Sequence, residues 1–233
     1  TPIFVNAAYP PLDAHAVRSE SMVIGPGARH PFEARSFFNI SGMSYGAISR
    51  PAVEALSRGA AEAGIWLNTG EGGLSPCHLV GGCDIVFQIG TAKYGVRDGD
   101  GQLDDDRLRV IAAHDAVRMF ELKLAQGAKP GKGGILPGGK VTEEIAAIRG
   151  IPVGRDSISP NRHVDVGNDA ELLDVLGHIR EVTGKPVGFK TVFGSERAFR
   201  RLFESIIERG AAQAPDFITL DGGEGGTGAS PMP

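Results

Sequence analysis

Phe217-Ile-Thr-Leu-Asp-Gly-Gly-Glu-Gly-Gly-Thr-Gly-Ala-Ser-Pro231 is the stretch that decides the fold. Its apolar, β-prone start, residues 217–220, reads as a buried parallel strand. The run then breaks into five glycines within residues 222–228. Glycines in that number present backbone N–H groups with no Cβ in the way, which suits close approach to a flat ring, a phosphate or a carboxylate. In α/β folds the sites lie at the carboxyl ends of strands. The glycines, with Asp221, Glu224, Thr227 and Ser230, therefore read as a site loop and not as a linker.

The same unit recurs upstream. The spacing predicts strands over residues 36–40, 65–68, 85–89, 119–124 and 186–192, each running into glycine-rich sequence. Helices are expected over residues 49–63, 109–117, 143–149, 170–182 and 195–209. Ser49 and Pro51 mark the start of the first, and Gly64, Gly184 and Gly210 close three of them. Residues 98–106 read as an acidic loop, residues 125–139 and 156–163 as irregular, and proline-rich residues 1–35 as an irregular arm. Strand, loop, helix and strand in repetition predict an α/β fold of (β/α)8 TIM-barrel type over residues 36–233. Only about six β/α units can be counted, and the chain starts at Thr1 and stops just after its richest motif. A part of something longer is expected, whose isolated form would be inactive and unable to hold a cofactor.

Composition narrows the function. A chain of 233 residues suits one α/β domain, and its 34 glycines fall between apolar runs. A net charge of −4 gives no electrostatic case for nucleic acid. No apolar run reaches the length of a membrane span, and no signal peptide is visible. Cys77 and Cys83 are the only cysteines, and their spacing fits neither a common zinc site nor an iron–sulfur cluster. They read as free thiols of a cytoplasmic protein.

Two readings of chemistry stand at this stage. Gly42-Met-Ser-Tyr-Gly46 matches Gly-x-Ser-x-Gly between a strand and a helix, the setting of a hydrolase elbow with Ser44 as nucleophile. Asp156 with His163, or Asp165 with His178, would complete a triad in the right chain order. Alternatively, Glu71, Lys129, Lys132, Arg149 and Lys190 form a set of charges near strand ends. Lys190 stands out, because an ammonium inside an apolar strand needs a polar ligand or a carboxylate.

Longer stretches carry more than either pattern. They are Ser-Gly-Met-Ser-Tyr-Gly-Ala-Ile-Ser (41–49), Asn-Thr-Gly-Glu-Gly-Gly (68–73), Phe-Gln-Ile-Gly-Thr-Ala-Lys-Tyr-Gly-Val (87–96), Lys-Leu-Ala-Gln-Gly-Ala-Lys-Pro-Gly-Lys-Gly-Gly (123–134), Leu-Pro-Gly-Gly-Lys-Val (136–141) and Asp-Gly-Gly-Glu-Gly-Gly-Thr-Gly-Ala-Ser-Pro (221–231). Together they resemble the FMN-binding synthase domain of glutamate synthase. The resemblance implies a β/α barrel holding FMN, whose reduced form delivers a hydride to 2-iminoglutarate made from 2-oxoglutarate and ammonia. It implies that Met43, Ser44, Gly46, Gln88, Lys190, Gly222 and Gly223 contact the flavin, with Lys190 near its pyrimidine end. It also implies that Glu71, Lys129 and Arg149 hold 2-oxoglutarate or a related 2-oxo acid, and that Lys190 and Glu71 are catalytic. An electron-donor protein or subunit and an oligomer are further expectations. The sequence departs from the family at Ile135, where the family has glutamine, and it lacks the amidotransferase domain and the cluster cysteines. A non-catalytic subunit piece is the third possibility.

Overall fold

The computed structural model describes residues 21–128 and 133–223. In chain order these form β1 (Met22–Ile24), β2 (Phe32–Ala34), α1 (Arg50–Ala63), β3 (Leu67–Asn68), α2 (Pro76–Leu79), β4 (Ile85–Ile89), α3 (Asp105–Ala112), β5 (Val117–Lys123), β6 (Ile135–Leu136), α4 (Glu143–Arg149), β7 (Ser157–Ile158), α5 (Asp169–Thr183), β8 (Val187–Val192), α6 (Glu196–Arg209) and β9 (Ile218–Asp221). The main sheet runs β3-β4-β5-β8-β9, parallel throughout. It is curled into a half-barrel, the partial TIM barrel that the strand–helix repetition predicts.

The two faces of the sheet bury different things. On the convex side Ile85, Phe87 and Ile89 of β4, Phe120 and Leu122 of β5, and Val187 and Phe189 of β8 meet Ala60, Leu108, Leu172, Leu176, Ile179 and Leu202 from α1, α3, α5 and α6. Phe87 and Phe120 pack edge to face, with ring centroids 5.7 Å apart. On the concave side the bottom is apolar, built from Val86 and Met119. The top carries Gln88, Glu121, Lys123 and Lys190, which alternate with the convex residues as a period of two requires.

One irregularity sets this phase. Ile85 pairs with Val117 but Val86 pairs with Met119, so Arg118 is an extra residue in β5. Arg118 is exposed and binds Asp84 at 2.7 Å. The bulge lets Val117 join the convex core while Met119, Glu121 and Lys123 face inward.

Several boundaries differ from the sequence reading. The strand expected over residues 36–40 is reduced to a single bridge, Ile40 to Leu67. Local bonds compete with the ladder there: Ser36 Oγ accepts from the Phe38 amide, and Asn39 Oδ1 accepts from the Trp66 amide. The helix expected over residues 109–117 is α3, which starts and ends earlier. Asp104 caps it through the Arg107 amide, and Asp105 and Asp106 occupy its first turn, so the acidic loop contains the helix start. Residues 156–163 are not wholly irregular, because β7 pairs antiparallel with β6. Within the stretch read as an irregular arm, β1 and β2 form an antiparallel hairpin. Residues 1–20 lie outside the described residues.

That hairpin closes the bottom of the half-barrel. Ile24, Phe32 and Ala34 pack on Val86 and Met119, with Trp66 and Phe217 at the margin, and Phe32 meets Trp66 edge to face at 6.1 Å. Phe32→Ala is therefore expected to cost about 3 kcal/mol of unfolding free energy, as buried aromatic truncations do. Urea denaturation measures this, and a loss below about 1 kcal/mol would mean that the hairpin is not part of the core.

Candidate functional site

A cleft of about 580 Å³ opens at the carboxyl ends of the strands, a size within the usual range for small-molecule sites. Its walls come from the loop after Ile40, the loop after β3, the ends of β4, β5, β8 and β9, the segment leading into β6, and Arg149 of α4. The residues singled out by sequence converge here: Met43, Ser44, Gly46, Glu71, Gln88, Arg149 and Lys190 all line it. Gly222 and Gly223 are exposed beyond the end of β9 and lie outside its walls. Lys129, Lys132, Glu224, Thr227 and Ser230 lie outside the described residues.

The loop after Ile40 is held from two sides. The Met43 amide donates to the Asn68 carbonyl at 3.0 Å. His78 Nε2 donates to the Met43 carbonyl at 2.8 Å, while its Nδ1 faces the Ser75 amide and hydroxyl at 3.2 and 2.8 Å. An amide N–H at Nδ1 fixes the neutral tautomer with its proton on Nε2. His78 reads as a loop residue in sequence, yet it is fully buried in α2. Gly70 allows the close approach of this loop, since it has φ +65° and a Cβ there would stand 2.7 Å from the Ser44 amide nitrogen. Gly42 likewise sits where a Cβ would meet Gln88 Oε1 at 3.3 Å and Asn68 Oδ1 at 3.4 Å.

Two lysines stand side by side on the concave face, because β5 and β8 pair Lys123 with Lys190. Lys123 Nζ is 2.9 Å from Glu71 Oε2 and bonds Gln126 Oε1 at 2.9 Å. Lys190 Nζ is 3.8 Å from Asp221 Oδ1, whose other oxygen accepts from the Gly127 amide at 2.8 Å. Burial holds the Lys190 ammonium below the usual lysine range; Asp221 works against this, and the neighbouring Lys123 charge adds to it.

Beneath the lysines lies a carboxylate that the sequence reading did not single out. Glu121 is 3% exposed. Its Oε1 accepts from Asn68 Nδ2 at 2.9 Å and Gln88 Nε2 at 2.6 Å, and its Oε2 accepts from Thr219 Oγ1 at 2.6 Å. Lys123 was also missed. Both follow from the argument that picked out Lys190, a charge within an apolar strand, applied to Val-Arg-Met-Phe-Glu-Leu-Lys of β5.

Arg149 closes the far wall. It is buried, donates to Ser157 Oγ at 3.0 Å and lies over the Tyr94 ring at 5.0 Å. Its Nε has no partner among the described residues. Burial pushes the guanidinium down from the usual arginine range.

The hydrolase reading finds no support. Among the described residues no histidine bonds Ser44. His163 Nε2 bonds the Lys123 carbonyl at 2.9 Å and His178 bonds Asp105 at 2.8 Å. Asp156 accepts from the Gly138 amide at 2.6 Å and Asp165 pairs with Lys93 at 2.9 Å. Among the described residues no group of three or more His, Cys, Asp and Glu side chains could hold a metal ion. Cys77 and Cys83 are buried and free. No helix among them is long and apolar enough to cross a membrane.

A β/α half-barrel with a polar, lysine-bearing cleft at its strand ends is thus the class of protein that fold and site define. Comparison with known proteins narrows it: a family described as the conserved region in glutamate synthase matches residues 5–233. The chain belongs to that family. It is 46% identical over 201 residues to the glutamate synthase large subunit-like protein YerD of Bacillus subtilis, covering 86% of this chain and 38% of that protein. It is 40% identical over 192 residues to the archaeal-type glutamate synthase [NADPH] of Thermotoga maritima, covering 81% of this chain and 34% of that one. The archaeal glutamate synthase [NADPH] of Archaeoglobus fulgidus is 37% identical over 193 residues, with 82% and 34% covered. The chain therefore spans well under half the length of these relatives.

Burial keeps the folded-state pKa of His78 and of His163 below the ordinary histidine value. Below about pH 6.5 the unfolded chain takes up protons that these buried rings refuse. Their contribution to stability is whole above that pH and is lost as pH falls through it. The urea midpoint should therefore drop between about pH 7.5 and pH 5.5, and His78→Gln should flatten the drop. An equal drop in the variant would show that His78 does not govern it.

Proposed function

We propose that the chain is the flavin-binding part of an oxidoreductase of the glutamate synthase type, with FMN in the cleft and a 2-oxo acid beside it. The observation that carries this reading is the pair of lysines, Lys190 buried and Lys123 half-buried, set in register above a floor of amides. When bound, FMN supplies hydride transfer, here to 2-iminoglutarate formed from 2-oxoglutarate and ammonia, giving glutamate. The donor set fits such a group: cations at one edge, the amide of Gln88, and backbone brought close at Gly42.

The residues have distinct work in this proposal. Lys190, paired with Asp221, would lie near the pyrimidine end of a bound flavin and would stabilise negative charge on the reduced ring. Met43, Ser44 and Gly46 lend backbone to the ring, and Gly222 and Gly223 are assigned to it from the family resemblance. Arg149 and Lys129 receive the carboxylates of the 2-oxo acid, with Arg149 at the wall of the cleft. Glu71 orients Lys123 and takes part in proton handling at the acceptor. The catalytic domain is assigned to residues 36–233, with residues 1–35 as an arm whose hairpin closes the bottom. The relatives' large-subunit names favour a partner protein that supplies electrons, and the free thiols suit the cytoplasm.

The intact protein is expected to purify with bound flavin, visible in its absorbance spectrum. Lys190→Met should weaken FMN binding roughly 10- to 100-fold, the size of a lost charge-assisted bond, or slow flavin reduction to a similar degree. Unchanged flavin content and reduction rate would remove Lys190 from this role.

The 2-oxo acid itself is open to choice at Ile135, which lines the cleft and is 68% exposed. It offers no hydrogen bond where the family has an amide. Titration of the flavin spectrum with 2-oxoglutarate should show weak binding, and Ile135→Gln should tighten it about tenfold or more. Tight binding by the unaltered protein would show that Ile135 does not set the substrate.

A further inference from the structure

We propose that Glu121 is a positioning residue that fixes which end of the Gln88 amide faces the cleft, so that the floor presents a hydrogen-bond acceptor to a ring N–H of the bound heterocycle. The inference rests on the flavin reading above and specifies how that site selects its ligand.

The argument begins with a group whose polarity has no freedom. The Gly70 backbone N–H can only donate, and it donates to Asn68 Oδ1 at 2.9 Å. The Asn68 side chain therefore turns its NH2 to the opposite side, where it meets Glu121 Oε1 at 2.9 Å. That oxygen is an acceptor by this contact, and the Gln88 amide approaches the same atom at 2.6 Å. Gln88 must then turn its own NH2 inward. Its Oε1 is left toward Gly42 and the cleft, and no donor bonds it among the described residues. Thr219 occupies the second carboxylate oxygen at 2.6 Å, which keeps Glu121 from rotating away.

The chain of polarity thus runs from the Gly70 N–H through Asn68 and Glu121 to the carbonyl oxygen of Gln88. Each member is nearly buried: Asn68 is 5% exposed, Glu121 3% and Gln88 2%. Flipping any one amide would set two donors or two acceptors against each other in a place water does not reach, at a cost well above that of a surface mismatch. The oxidised isoalloxazine ring carries one N–H, the imide N–H, and an acceptor at the cleft floor selects for it. A ring bearing a lone pair or a C–H at that place loses the bond and leaves the Gln88 oxygen unpaired.

The logic also separates the oxygen of Glu121 from its charge. In Glu121→Gln the side-chain oxygen can still face Asn68 and Gln88 while its NH2 faces Thr219 Oγ1, which is able to accept. The polarity of Gln88 is then preserved. In Glu121→Met nothing fixes it, and the amide is free to turn.

The test uses the intact protein, stripped of flavin and titrated with FMN and with 3-deaza-FMN, in which carbon replaces the imide nitrogen and its N–H is lost. Wild type should prefer FMN by about tenfold, the worth of one hydrogen bond to a buried acceptor. Glu121→Gln should keep that preference within about threefold, and Glu121→Met should reduce it to near unity. Loss of the preference in Glu121→Gln, or its survival in a folded Glu121→Met, would overturn the inference while leaving the flavin reading intact. Equal affinity of wild type for the two flavins would also overturn it. Failure of wild type to bind either flavin would overturn the flavin reading and this inference with it. Should Glu121→Met not fold, the Glu121→Gln result alone decides.

Discussion

Glu121 is the constraint around which the concave face is built. A carboxylate buried at the axis of the half-barrel must have its lone pairs satisfied from the strands around it. The strands provide this in register: Asn68 from β3, Gln88 from β4 and Thr219 from β9. Four strands of the sheet are thereby tied at one depth by side chains as well as by their ladders. Below this layer the concave face is apolar and closed by the hairpin; above it lie the lysines and the cleft. The polar layer is the boundary between the apolar part of the interior and the part that opens into the cleft.

The charges above that layer are arranged in alternation. Glu71, Lys123, Lys190 and Asp221 follow one another across the mouth, each lysine with a carboxylate of its own. Neither cation is left uncompensated, yet the Lys190 contact at 3.8 Å is loose enough for Asp221 to share its other oxygen with the Gly127 backbone. A ligand with developing negative charge can therefore draw on Lys190 without breaking a close ion pair. The Lys123 contact is shorter, and His163 holds the carbonyl of the same residue, so this lysine is anchored at both ends.

Much of this was legible in the sequence where local rules act alone. The helices α4, α5 and α6 follow from their caps and apolar spacing, and β4 and β8 from their continuous apolar runs. What escaped depends on partners distant in sequence. The strand expected over residues 36–40 lost its ladder to side-chain bonds of Ser36 and Asn39. His78 looked like a loop residue because its acceptor, the Met43 carbonyl, is brought near only by the fold. Glu121 and Lys123 were hidden because the bulge at Arg118 puts Val117 out of step with Met119, so β5 does not read as one alternating strand. The family motifs gathered most of the cleft's residues, but they said nothing of which atoms face each other.

The same bulge gives β5 a reading frame. Upstream of Arg118 the odd-numbered Val117 belongs to the convex side; downstream the odd-numbered residues belong to the concave side. Replacing Arg118 changes little more than an exposed ion pair with Asp84. Removing it joins Val117 directly to Met119, which already pair with Ile85 and Val86, so the strand becomes regular and every later side chain keeps its face. A deletion further along is another matter: with Phe120 gone, Glu121 and Lys123 would turn toward the helix-facing core and Leu122 toward the cleft. The bulge is thus the place where β5 can change its length by one residue without changing which face its later side chains meet.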